Sequence, residues 1–164
     1  MKEPTEKRAI VFVDGQHLFH AVREAFGYTY PNYDVRALAQ QICDSQKWRF
    51  LQARFYTGVP DVRDDAFWSG FWTRKLAMLG RQRVWTYTRS LRYRNRRVAS
   101  PDGTEHVYRT GEEKGIDVRI AVDVIRMALR DEYDVALILS QDQDLSEVAG
   151  EIRSIAAERG RWIK

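Results

Sequence analysis

A single cysteine, Cys43, stands among 164 residues. That excludes a disulfide within the chain and any zinc site built from cysteine clusters. Cys43 reads as a core residue, and the chain as a cytoplasmic protein kept in a reducing compartment. No stretch approaches the roughly 20 continuous apolar residues of a membrane span, so no membrane association is expected. The start, Met1 to Arg8, is charged, and the apolar run Ile10 to Val13 behind it is too short for a signal-peptide core. No G-x-G-x-x-G follows a strand-like run and no P-loop occurs, so no nucleotide cofactor is expected. His17 and His20 lie three apart on one predicted helix, but the usual ligand spacings of zinc are missing. Repeats, low-complexity tracts, interdomain linkers and any Ser-His-Asp pattern are also lacking.

What remains is enough for one domain. Apolar residues make up 44% of the chain, which can bury a real core. Residues 1–7 read as a disordered leader and 8–164 as the domain. The net charge of +4 suits a polyanionic partner. Its distribution says more: RSLRYRNRRV, from Arg89 to Val98, holds five arginines and no acid, whereas the segment from Asp131 to Glu151 is acid-rich. A basic surface and an acidic site are therefore expected in different places.

RAIVFVD (8–14) and VALILS (135–140) are apolar runs of the kind that form buried parallel strands. FLQARFYTG (50–58) and RVWTYT (83–88) are further strands. Helices are expected over 16–26, over 35–43 behind a cap at Asp34, over 64–79 with Gly80 as C-cap, over 116–129 and over 145–158. On the fourth of these, Arg119, Asp123, Arg126 and Arg130 form a polar stripe, and Val118, Val122, Ile125 and Leu129 an apolar one. Asp123 is accordingly expected on the surface, in salt bridges. Residues 89–110 alternate in strand fashion around Pro101-Asp102-Gly103 and read as a protruding hairpin. Strands alternating with helices predict an α/β fold: a mostly parallel sheet with helices on both faces and a basic hairpin inserted.

Both of the most apolar strands run into aspartate. Asp14 ends the first, Asp142 and Asp144 follow the last, and Asp117 opens the helix leading into it. The carboxyl edge of such a sheet is where ligands bind. Each acid has a plainer reading as a cap or first-turn residue. Crowded together, they would repel, and a divalent cation with oxygen ligands, Mg²⁺ or Mn²⁺, removes the conflict.

VFVDGQHLF, EKGIDVRIAVDVIRMAL and YDVALILSQDQDLSEVAGEIR resemble the three motifs of NYN domains, which are PIN-like ribonucleases that include the LabA-type bacterial proteins. The resemblance runs from about Arg8 to Ala157. It implies a Rossmann-like sheet, Mg²⁺ or Mn²⁺ on Asp14, Asp117, Asp142 and Asp144, and hydrolysis of RNA, with Ser140 beside the site. Two positions depart from the family's usual residues: His17 for Asn, and Gln141 for Gly. The family's usual strand after the last helix is reduced here to RWIK (161–164), the beginning of one at most.

Arg92, Arg94, Arg96 and Arg97 of the hairpin are candidate phosphate contacts, with Lys114 and His17 nearer the acids. The bland alternative for the hairpin is a solvated, charged arm. Tyr28, Tyr30 and Tyr33 either stack on bases or pack a loop. Trp68, Phe71 and Trp72 belong to the core or to a homodimer face. The expected activity is metal-dependent, endonucleolytic hydrolysis of RNA. The rival is a catalytically weak or inactive module of the same family that binds RNA or protein.

Overall fold

The computed structural model describes residues 1–99 and 105–164. Strand β1 (Arg8–Asp14) leads into helix α1 (Gly15–Phe26) and helix α2 (Val35–Ser45). Then come β2 (Arg49–Val59), α3 (Ala66–Arg81) and β3 (Trp85–Ser90). Strands β4 (Arg92–Ala99) and β5 (Glu105–Glu112) form the hairpin, and α4 (Ile116–Leu129), β6 (Val135–Leu139), a 3-10 turn (Gln143–Leu145) and α5 (Ser146–Glu158) complete the chain. The expected turn at Pro101-Asp102-Gly103 lies outside the described residues.

The main sheet is parallel throughout, in the order β3-β2-β1-β6. Because side chains alternate along a strand, β1 feeds two cores. Ile10 and Phe12 pack with Ile120 and Val124 of α4 and Val148 and Ile152 of α5. Ala9, Val11 and Val13 pack on the opposite face with Val35, Ala39 and Cys43 of α2 and Trp72 and Leu79 of α3. This is the expected three-layer α/β arrangement, with helices on both faces. Cys43 is buried, as read. No helix among the described residues is long and apolar enough to cross a membrane.

Local chemistry sets the helix starts. Asp14, Asp34 and Asp65 each accept an N–H three residues on, at 3.0, 2.9 and 3.0 Å, the N-cap geometry. The C-terminus of α3 differs from expectation. Gly80 lies inside the helix, which runs to Arg81, and the left-handed residue that follows is Arg83, at φ 59°.

The larger correction concerns α4. Its buried residues are Ile116, Ile120, Asp123, Val124, Met127 and Ala128. Three members of the expected apolar stripe face outward instead, Val118 at 60%, Val122 at 48% and Leu129 at 41% exposed, while Ile125 is half-buried against the core. Asp123, expected at the surface, is fully buried. Its Oδ2 accepts from the Tyr56 hydroxyl at 3.0 Å, and its Oδ1 lies 3.0 Å from Arg119 and 3.3 Å from Arg126. Arg54 of β2 completes the set at 3.4 Å, its guanidinium 3.6 Å above the Trp85 ring. The helix can turn this way because β2 supplies the partners, Tyr56 and Arg54, that let the acid be buried.

The expected last strand is reduced to a single bridge. Lys164 donates to Asp134 O and its carbonyl accepts from Ala136, both at 2.9 Å, beside the outer edge of β6. The aromatic loop packs in part: Tyr33 is half-buried, and Tyr30, though exposed, lies 5.7 Å from Trp68 and 6.0 Å from Phe71. Tyr28 is exposed.

Gly15 is where β1 turns into α1 against β2. A Cβ there would overlap the Phe55 ring, with Cε1 at 2.9 Å, and would sit 3.0 Å from Tyr56 O. Gly15→Ala should therefore destabilise the protein by about 1–3 kcal/mol, although alanine favours helix. Urea unfolding checks this; an unchanged midpoint would mean that the strand-to-helix corner is loosely packed.

Candidate functional site

The sheet's order reverses direction between β1 and β6, since the chain steps from β1 to β2 on one side and reaches β6 on the other. The crevice beyond the carboxyl ends at such a point is the ligand position of open α/β sheets. Here it is a cavity of about 540 Å³. Asp14, Asp117 and Asp142 line it, with His17, Lys114 and Arg96. Three of the four predicted carboxylates therefore converge. Asp144 is exposed and outside that lining; its N–H donates to Asp142 Oδ1 at 2.9 Å.

A polar chain ties the two strand ends together. His17 Nδ1 lies 3.1 Å from Asp14 Oδ2 and 2.8 Å from Ser140 Oγ, which accepts from the Asp142 N–H at 3.1 Å. His17 and Ser140 thus hold the acids in place, His17 from α1 and Ser140 from the end of β6. Gln141 has no positive φ, so this turn does not require glycine.

Glu113 was missed by the sequence reading. It lines the same cavity and accepts the N–H of Gly58 with Oε2. Burial pushes its carboxyl up to about 7, against the Gly58 hydrogen bond that favours the charge, and the negative charges of Asp14 and Asp117 push it the same way. Asp14 is also raised, mainly by burial, with Asp142 adding to it and the bonds from His17 opposing. Five carboxylates line one cavity, Glu112 included, and two of them, Asp14 and Glu113, are held above their usual range.

The same cavity also carries positive charge. Helix α4 opens at Gly115, at φ 73°, with no side-chain cap, so its first N–H groups and its dipole face the cavity. Lys114 and Arg96 stand beside it. Of the hairpin arginines, Arg96 alone lines the cavity. Glu112 pairs with Arg96 at 3.0 Å and with Arg94 at 3.7 Å, while Arg97 pairs with Glu105 at 3.8 Å. Arg92, Arg94 and Arg96 share one strand face. Much of the hairpin's charge is thus balanced within the chain.

The chemistry of the donors suits a hard cation: Asp14, Asp117, Asp142 and Glu113 present only oxygen. Among the described residues no three His, Cys, Asp or Glu side chains close on one point. Each of Asp14, Asp142 and Glu113 instead accepts a nearby N–H. An ion here would keep several waters, as Mg²⁺ commonly does when one or two carboxylates hold it.

A Rossmann-like parallel sheet with an acidic crevice at its switch point has the build of a PIN-like nuclease. The NYN domain profile matches residues 8–157, and the chain belongs to that family. No curated protein matches it. Among solved structures, a protein of unknown function from Vibrio parahaemolyticus is similar at a TM-score of 0.52 and 20% identity, over 98% of this chain and 81% of that one. That likeness bears on the fold alone.

Proposed function

We propose that this nuclease-family domain hydrolyses RNA phosphodiester bonds endonucleolytically at the cavity between β1 and β6, with Mg²⁺ or Mn²⁺. The observation that carries the reading is that several carboxylates and an uncapped helix N-terminus line one cavity. Asp14, Asp117, Asp142 and Glu113 would hold the cation. When bound, the cation supplies charge against the phosphodiester and makes water more acidic. The N–H groups opening α4, with Lys114 and Arg96, would orient a non-bridging phosphate oxygen. Glu113 stands near neutrality between its protonated and charged forms, so it gives up a proton readily when positive charge arrives. Asp144, two residues past Asp142 and outside the lining, would complete the metal site or bind a second ion.

One observation favours the rival, a weak or inactive module binding RNA or protein: His17 occupies both oxygens of Asp14 through its N–H and its ring. Two measurements test the proposal. Millimolar Mn²⁺ should raise the melting temperature, because a ligand of the folded state stabilises it. Single-stranded RNA should be cut with Mn²⁺ and left whole with EDTA. RNA bound but uncut under both conditions would select the inactive module. An unchanged melting temperature would remove the metal.

A further inference from the structure

Beside the acidic cavity lies a second one of about 480 Å³, and its lining is of another kind. Phe19 of α1, Trp68 and Trp72 of α3, and Tyr93 of the hairpin form its aromatic walls. Its one arginine is already matched: Arg109 Nη1 lies 2.5 Å from Asp64 Oδ1, and the Arg109 guanidinium lies 4.9 Å from the centre of the Tyr93 ring, while Asp65 caps α3 through the Trp68 N–H. Such a cleft suits a flat, uncharged ring with polar edges. It does not suit a phosphate.

The two cavities adjoin. Gln16, Thr110 and Gly111 line both. At this junction the Thr110 hydroxyl is buried and has no hydrogen-bond partner among the described residues. A buried hydroxyl without a partner is costly, and a ligand that bonds to it removes the penalty. The order along the surface is aromatic cleft, unpartnered hydroxyl, acidic cavity with phosphate-orienting groups. A nucleotide has that order too: base, sugar, phosphate.

We propose that the aromatic cleft is a nucleobase subsite, which seats one unpaired base of the RNA while the neighbouring phosphate lies in the acidic cavity. The proposal rests on the RNA-hydrolase reading of that cavity. Bases splayed out of single strands are held by stacking on aromatic rings and on guanidinium planes, both of which the cleft offers. Tyr93 and Arg109 stand on the hairpin, so the hairpin's role includes closing this subsite as well as carrying charge. Thr110 stands where the sugar joining base and phosphate would pass.

The test is equilibrium binding of a short single-stranded RNA to the full chain in EDTA, which withholds the metal that cleavage needs. The RNA is used intact and with one abasic residue at each position in turn. In the wild type, one abasic position should weaken binding about tenfold, the scale of losing a single stacked base. In Tyr93→Leu, and separately in Phe19→Leu on α1, intact RNA should bind about tenfold more weakly, and that abasic position should make little further difference. The two variants lie on different elements, so misfolding of one leaves the other to decide. RNA that binds equally well whichever base is removed overturns the subsite and leaves the RNA reading standing; the cleft then serves a protein side chain or none. An abasic effect that persists in both variants places the base elsewhere and also overturns it. Failure to bind any RNA sinks both readings together.

Discussion

Asp142→Asn should abolish detectable RNA cleavage while the fold survives. The substitution is selective because the two roles of Asp142 separate cleanly. As a cap, its Oδ1 accepts the Asp144 N–H at 2.9 Å. Asparagine keeps that oxygen and caps as well as aspartate. As an anion, Asp142 faces Asp14 and helps raise it. Asparagine removes that charge, and with it a metal donor. Disturbing even the partners of metal ligands costs on the order of 10- to 100-fold, so loss of a donor should cost at least about a hundredfold in rate. Without metal, the variant should melt no lower than the wild type and somewhat higher, since a like-charge contact is gone. The Mn²⁺-induced rise in melting temperature should shrink. Glu151→Gln, at an exposed position on α5, is the control and should change neither. Cleavage by Asp142→Asn at the wild-type rate would remove this carboxylate from the site.

The strand ends were legible because burial and chemistry coincide there. β1 and β6 are nearly all apolar, and an apolar run that stops at aspartate gives both the strand and its edge. Glu113 was hidden by position. It follows β5 and precedes α4, in the pair Glu112-Glu113; both line the cavity, and composition alone does not say which of them the hairpin arginines take up. Strand parity does carry a signal: Glu112 shares a face with Thr110 and Tyr108, so the next residue points the other way. In the structure Glu112 meets Arg94 and Arg96, and Glu113 meets Gly58. The helix α4 misled for a different reason. Two rows along it fit helical spacing. The row Val118, Val122, Ile125, Leu129 is wholly apolar, whereas Ile116, Ile120, Asp123, Met127 contains an acid. Pattern reading favours the clean row. The structure buries the other because Arg54 and Tyr56, some 70 positions earlier in the chain, meet the acid. Such partners come from tertiary contact, which one helix's sequence does not report.

Asp123→Ala should be among the most damaging single changes in the protein, though Asp123 touches no part of the proposed site. Its carboxylate has no solvent exposure and four partners: Tyr56, Arg54, Arg119 and Arg126. Arg54 decides the size of the effect. Its side chain is 9% exposed, it lies against Trp85, and Asp123 is its anionic partner. Removing the acid leaves a buried guanidinium uncompensated, a loss of about 3–5 kcal/mol where such pairs have been broken. For a domain of this size that corresponds to a fall in melting temperature of roughly 6–20 °C. The outer partners, Arg119 and Arg126, are 31% and 46% exposed, so water takes over for them and they add little. Arg54→Met in the Asp123→Ala background should recover part of the loss, because it removes the stranded charge and leaves a side chain of similar length against Trp85. Thermal melts of the wild type, both single variants and the double variant close the cycle. A double variant no more stable than Asp123→Ala would mean that the damage comes from the cavity or from Tyr56. A single variant within about 1 kcal/mol of the wild type would mean that water reaches Arg54, and that the burial of Asp123 does not hold α4 on β2. Because α4 carries Asp117 at its first turn, a weakened grip there should also lower Mn²⁺ affinity, in the same variant and the same melts.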